Sequence, residues 1–371
     1  MNSDQRRVAL QIGLFLLTLI CTTLAGSEWT HSRSVYMKDY TWSDFLSGFQ
    51  YSIPFLGILT VHEFGHYFMA KYHKVKATLP YYIPMPPFLF SIGTMGAVIR
   101  LRSKVYSKKQ NFDIGLAGPM AGFVAALIVL FYGFTHLPEP EYIFKIHPGY
   151  EQYGLNYAEH VYNDLPQMAD VIIGKNVLFV LFEKFVADPS RVPNPHELIH
   201  YPYLFAGFLS LVFMCLNLLP IGQLDGGHVV YGLFGFRIHK IIATIAFFIL
   251  LLYSGIGVID LSKEPNDLAL WIGCSFVFLY LSLFGLGLPL KDTLMYAVLI
   301  LAFMITVSWM FPTAHGYDPW LLFIFILGRF IGIQHPPSEI EEPLDSKRII
   351  LGWIALVIFV ISFSPAPIVI L

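Results

Sequence analysis

Long apolar runs broken by short polar stretches dominate this chain. Runs of the roughly 17–25 residues a helix needs to cross a bilayer lie near 8–26, 48–70, 112–136, 202–220, 240–259, 268–289, 293–312 and 349–371, with a shorter one at 319–333. The pattern predicts an α-helical polytopic membrane protein with about eight or nine transmembrane helices. The first run follows the polar start MNSDQRR and is read as a retained span. A cleaved signal peptide is the rival reading, since CTTLAG supplies small residues.

Two apolar or loop segments break the pattern. Residues 79–99, LPYYIPMPPFLFSIGTMGAVI, carry Pro80, Pro84, Pro86 and Pro87, then Gly93 and Gly96. Prolines remove helix donors and clash with the preceding turn, so a spanning helix is excluded here. Basic residues flank both ends, which predicts a re-entrant loop or hairpin that leaves and returns on one side of the membrane. Residues 138–200 form a polar loop of about 60 residues, too short for a large independent domain.

Composition agrees with the membrane reading. Hydrophobic residues make up 56% of the chain and charged residues 13%, against about 25% charged in soluble proteins. The three cysteines, Cys21, Cys215 and Cys274, all sit in apolar runs and argue against a disulfide framework or a cysteine metal site. A net charge of −2 with no basic-aromatic patch gives no support to a nucleic-acid partner. Orientation follows from Lys and Arg in the loops. With the N-terminus inside, 16 of the 23 fall on the inner side, among them Arg6, Arg7, Lys71–Lys76 and Arg100–Lys109. The expectation is N-terminus cytoplasmic and C-terminus outside, which requires 319–333 to cross.

The pattern His-Glu-x-x-His occurs twice, in VHEFGHYFMA from Val61 and in PHELIHYPYL from Pro195. On an α-helix, residues i and i+4 share a face, so both imidazoles can hold one ion while the Glu beside them serves as a base. Segment 195–202 fails this requirement. Pro195 precedes it and Pro202 follows, so it is read as an exposed His-Glu loop that binds no metal. Segment 61–70 passes, inside an apolar helix from Tyr51 to Ala70. Burying His62, Glu63 and His66 in hydrocarbon is costly unless they serve a site. A third ligand is needed, and LNLLPIGQLDGGHVVYG supplies Asp225 just past the end of the 202–220 run, with His228 a further candidate.

At these residues the chain resembles the site-2 protease family of intramembrane zinc metalloproteases. The resemblance rests on HEFGH at His62–His66, GLAGPMAG at Gly115–Gly122 and NLLPIGQLDGG at Asn217–Gly227, with the 79–99 segment between them. It covers roughly 50–235. GTMGA, FDIGLAGP and LLPIGQLDGGH resemble most the bacterial and chloroplast branch of ethylene-dependent gravitropism-deficient-type members, without a PDZ domain. The resemblance implies Zn2+ held by His62, His66 and Asp225, with Glu63 as general base and acid. It also implies substrate contacts from Asn217 and from a re-entrant β-hairpin near the active site, at Gly93, Thr94 and Gly96.

These readings divide the chain into a first helix and outer loop (1–47), a catalytic membrane core (48–235) and additional helices (236–371). The implied activity is hydrolysis of peptide bonds within or beside transmembrane segments of membrane-protein substrates, in a bacterial inner (cell) membrane. A multi-span transporter or a catalytically silent relative are the rivals. The first has no need of a Glu between paired histidines, and the second would not retain every ligand. The stretch Gly332–Trp353 is read as a solvated loop before the last span, with a contact to the catalytic mouth as the lesser reading.

Overall fold

A computed structural model describes residues 3–88, 91–162 and 171–370. The chain runs through α1 (Ser3–His31), α2 (Trp42–Ser47), α3 (Phe49–Tyr72), β1 (Tyr81–Pro84), β2 (Thr94–Val98) and α4 (Lys108–Thr135). Short helices α5 (Ile143–Ile146) and α6 (Tyr157–Val161), β3 (Val171–Ile173) and α7 (Val177–Phe185) follow, leading to α8 (Pro202–Asn217) and α9 (Asp225–Gly255). The remainder is α10 (Pro265–Leu283), α11 (Leu290–Met310), α12 (Trp320–Ile326), α13 (Ser346–Ser362) and β4 (Ile368–Ile370). Among the described residues, five helical stretches are long and apolar enough to cross a membrane: Asp4–His31, Lys108–Thr135, Asp225–Gly255, Pro265–Leu286 and Leu290–Met310. Helix α3 has the length but not the hydropathy, because His62, Glu63 and His66 interrupt its apolar run.

Contacts group the chain into two compact units. One comprises Met1–Val105, Ala117–Asn217 and Ala355–Leu371; the other comprises Tyr106–Leu116 and Leu218–Ile354. In the first unit α1 lies close against α3, because Gly26 and Gly48 leave no side chain in the way. A Cβ on Gly26 would meet the Gly48 carbonyl oxygen at 2.6 Å. The buried hydroxyls of Thr22, Thr23 and Thr30 donate back to carbonyls of their own helix (Thr18, Leu19 and Gly26), which removes the cost of burying them. The core of this unit joins Tyr51, Phe55 and Ile58 of α3, Ala126, Leu130 and Phe134 of α4, and Phe205, Phe208 and Met214 of α8.

The polar loop 138–200 also feeds that core. Leu178 and Phe179 of α7, Ile173 of β3, and Leu198 and Ile199 are all buried in it. The apolar run 349–371 does not form one span: the helix ends at Ser362, and Pro365 and Pro367 prevent its continuation. Strand β4 then pairs antiparallel with β3, with Ile172 opposite Val369.

In the second unit α9 begins fifteen residues before the predicted 240, at Asp225, and changes direction at Gly235, whose φ of 76° suits glycine. The weak run 319–333 becomes α12 followed by a π-helical turn, Leu327–Ile331. Most of Gly332–Trp353 is exposed, as a solvated loop before the last helix requires, but Ile333 and His335 are buried and several of its polar groups are tied down. Glu341 and Ser338 engage the Tyr231 hydroxyl, and Arg348 holds Asp113 through two bonds of 2.8 and 2.7 Å.

Candidate active site

Helix α3 carries His62, Glu63 and His66 four residues or fewer apart, and all three are buried, at 2, 4 and 7% exposure. The helical repeat puts both imidazoles on one face, edge to face with ring centres 4.6 Å apart and their Nε2 atoms 3.0 Å apart. Nδ1 of His62 lies 3.1 Å from Met214 Sδ on α8. A thioether can only accept, so Nδ1 carries the hydrogen and Nε2 presents its lone pair. Glu63 Oε1 stands 3.9 Å from that same Nε2, and Asn217 Nδ2 at the end of α8 stands 3.4 Å from it. Four of the predicted site residues are therefore gathered in this unit.

Helix α4 makes room for them. A Cβ on Gly118 would lie 2.1 Å from His66 Nε2, and one on Gly122 would meet Met214 Sδ at 2.7 Å and His62 Cβ at 3.0 Å. Across the same contact, a Cβ on Gly65 would strike the Ala117 carbonyl at 2.6 Å. Gly118 and Gly122 of GLAGPMAG are thus the bare surface on which the two histidines lie. These two glycines and Met214 are site residues to which the sequence reading gave no role.

The predicted hairpin is present as β1 and β2, antiparallel, with Tyr82 opposite Ala97. Tyr82 bonds the Thr60 hydroxyl on α3 at 2.7 Å, and Trp29 and Tyr51 donate to the carbonyls of Ser91 and Ile92. Gly93, with φ of 88°, packs on the backbone of Thr22 so closely that a Cβ would sit 2.3 Å from its Cα. The Thr94 hydroxyl donates to Ile83 O at 2.9 Å and accepts from Gly96 N at 3.0 Å, which holds the bend. Gly93 and Thr94 therefore shape the hairpin. A Cβ on Gly96 would meet only the Phe213 ring, at 3.7 Å. Among the described residues the sheet has two strands, so β2 keeps one edge unpaired within it.

Asp225, in the second unit, is the first residue of α9, and Leu224 occupies the N-cap. The two glycines after it are sterically required, since a Cβ on Gly226 or Gly227 would lie 1.9 Å from Leu218 O or 2.3 Å from Gly222 O. His228 Nδ1 pairs with His335 Nε2 at 2.8 Å, and His335 stacks on Tyr231 at 4.1 Å.

The segment from Pro195 folds otherwise than expected. Pro195–His200 is a 3-10 turn capped by the Asn194 side chain, and it is not exposed: Glu197 is 1% and His200 5% accessible. Leu198 and Ile199 draw the turn into the core and carry the polar pair inward with them. His196 leaves the cluster and stacks on Tyr162, ring centres 4.0 Å apart. His147, from the loop after α5, takes its place beside Glu197 and His200. Burial, and His147 as neighbour, push the His200 pKa down to about 3, and burial also lowers that of His147.

Comparison with known proteins places this geometry. The sequence model of peptidase family M50 matches residues 50–253, which include His62, Glu63, His66, Asn217 and Asp225. The chain belongs to that family. Among curated relatives, the probable zinc metalloprotease EGY1, chloroplastic, of Arabidopsis thaliana is 31% identical over 180 residues, 48% of this chain and 28% of that protein. The probable zinc metalloprotease EGY2, chloroplastic, of Oryza sativa subsp. indica is 26% identical over 214 residues, 58% of this chain and 33% of that one. The probable zinc metallopeptidase EGY3, chloroplastic, of Arabidopsis thaliana is 26% identical over 267 residues, 68% and 41% respectively. The chain spans well under half the length of each of these relatives. No solved structure matches it.

Proposed function

We propose that the chain is an intramembrane zinc metalloprotease that hydrolyses peptide bonds within or beside transmembrane segments of membrane proteins. The observation that carries this reading is the buried pair of Nε2 atoms 3.0 Å apart, with a carboxylate beside them, in a member of family M50. The donor set fits zinc: two neutral imidazoles with one carboxylate is a common catalytic arrangement. His62 and His66 would hold the ion from α3 and Asp225 from the start of α9, the last on the strength of the family resemblance. When bound, zinc supplies Lewis-acid activation of water and of the scissile carbonyl.

The remaining steps belong to side chains. Glu63 takes the proton of the attacking water and delivers it to the leaving nitrogen, a role worth about 10²–10⁴-fold in rate. The Asn217 amide, close to His62, orients the substrate carbonyl. The unpaired edge of β2 receives the substrate as an added strand, with Gly96 the bare position along it, since only an unwound peptide exposes a scissile bond. Gly93 and Thr94 hold that edge in shape. In this reading the hairpin is re-entrant, α3, α8, α12 and α13 join the five long apolar helices to give nine of the expected eight or nine spans, and the N-terminus is inside with the C-terminus out. A bacterial inner membrane is the expected location from the resemblance, the matched relatives being chloroplastic by name.

The test is cleavage of a reporter transmembrane substrate by protein purified in detergent. Wild type should cut, His62→Ala/His66→Ala should lose one equivalent of zinc and all cleavage, and Glu63→Gln should keep its zinc and not cut. Cleavage retained in Glu63→Gln would overturn the mechanism.

A further inference from the structure

The second His-Glu-x-x-His segment lies in a turn with three residues per repeat rather than 3.6. Such a turn eclipses residues i and i+3. It therefore brings together Glu197 and His200, not the two histidines of the motif. His147 completes the group from a different segment. The three facing atoms form a nearly regular triangle: His147 Nε2 to His200 Nε2 is 3.1 Å, His147 Nε2 to Glu197 Oε2 is 3.7 Å, and His200 Nε2 to Glu197 Oε2 is 3.6 Å. The circumcentre of a triangle with those edges lies about 2.0 Å from each corner, the length of a zinc bond to nitrogen or carboxylate oxygen.

The neighbours aim the donors inward. Nδ1 of His200 lies 3.3 Å from the Thr30 carbonyl, which can only accept. That nitrogen therefore carries the hydrogen and Nε2 keeps its lone pair for the triangle. The Tyr162 hydroxyl donates to Glu197 Oε1, leaving Oε2 turned toward the imidazoles. Glu197 and His200 are buried, and His147 closes the group from the less covered side. Two imidazole nitrogens can share only one hydrogen between them; a cation at the centre satisfies both lone pairs and the carboxylate together.

We propose that His147, Glu197 and His200 form a second metal site, a His2Glu centre for zinc or a similar divalent transition ion, separate from the site on α3. Within the triangle the one carboxylate is itself a ligand and is also held by Tyr162, which suits a structural role rather than that of a base. The ion ties the segment after α5 to the turn at the foot of α8, and through Thr30 to the end of α1. Metal affinity there is folding free energy for the segment 138–200.

The experiment uses full-length protein in detergent, reconstituted with zinc and freed of excess, with metal counted by mass spectrometry. The His62→Ala/His66→Ala background removes the α3 ion, so one zinc per chain should remain. Adding His147→Ala or Glu197→Gln should remove it, and adding His196→Ala should not. Cobalt substitution of the same background should give the visible absorption of a low-symmetry site, lost in Glu197→Gln. To guard against a variant that merely misfolds, Tyr162→Phe should keep the fold while weakening zinc binding by about tenfold or more. A background that binds no zinc overturns the proposal. So does one whose zinc is unaffected by His147→Ala and Glu197→Gln, or by Tyr162→Phe. If the background holds as much zinc as wild type, the active-site reading fails while this one stands.

Discussion

The two His-Glu-x-x-His segments share letters and differ in everything those letters need. In α3 an uninterrupted α-helix puts His62 and His66 on one face and leaves Glu63 beside them with a carboxylate oxygen 3.9 Å from an imidazole. Between Pro195 and Pro202 there is room for little more than one turn, and it winds as a 3-10 helix. Its period pairs Glu197 with His200 and sends His196 out to Tyr162. In the proposed reading the same residues thus yield a base beside two ligands in one place and a carboxylate acting as a ligand in the other. A motif assigns roles only once the helical repeat beneath it is known.

The largest expected effect separates the two glutamates. Glu63→Gln should cut turnover by about 10²–10⁴-fold while leaving the metal content of the protein unchanged. Glu197→Gln should do the opposite, removing one equivalent of metal and leaving turnover per folded molecule within a few-fold. Paired zinc counts and cleavage rates on the two variants test this. If Glu197→Gln, correctly folded, stops cleavage as fully as Glu63→Gln, the division of roles between the segments is wrong.

Next in size is Gly118→Ala on α4. The new methyl would fall 2.1 Å from His66 Nε2, the atom offered to the ion. Overpacking of this kind costs about 1–3 kcal/mol, and here the cheapest relief is to turn the imidazole away. Zinc affinity of the α3 site should fall at least tenfold by chelator competition, with the His147 site unaffected. Equal loss at both sites would mean global unfolding and would break the comparison.

A matched pair of smaller changes probes the groups that orient each ligand set. Met214→Leu removes the acceptor for His62 Nδ1–H, and Tyr162→Phe removes the donor to Glu197. Each should weaken its own site by about 10–100-fold and spare the other. Two zinc titrations, one per background, decide it.

How much of this could be read from the sequence follows from range. Periodicity and length located the long helices, and the prolines of 79–99 argued against a spanning helix there, because these are local properties. The spacing of His62, Glu63 and His66 was legible for the same reason. Four things were not. Prolines 365 and 367 turned the end of an apolar run into a strand that pairs with residues nearly 200 positions earlier. Leu198 and Ile199 buried a segment that its prolines had marked as an exposed loop. His147 and Met214 reach their partners only through tertiary packing. His335 lies buried in a stretch whose charges read as solvated.

The smallest effect belongs to the residue the motif makes most conspicuous. His196 occupies the first histidine position of the second segment, yet its ring lies flat on Tyr162, 16° from parallel, rather than toward Glu197 Oε2. His196→Ala should cost about 0.5–1.5 kcal/mol of stacking. It should change neither zinc count nor cleavage, because Tyr162 can still donate to Glu197 without it. A thermal melt lowered by a few degrees, with two zinc ions retained, is the expected result. Loss of an ion with His196 would restore the literal motif, with both of its histidines as ligands. The 3-10 repeat argues against that, since it sets residues i and i+4 about 120° apart around the turn and only i and i+3 in line.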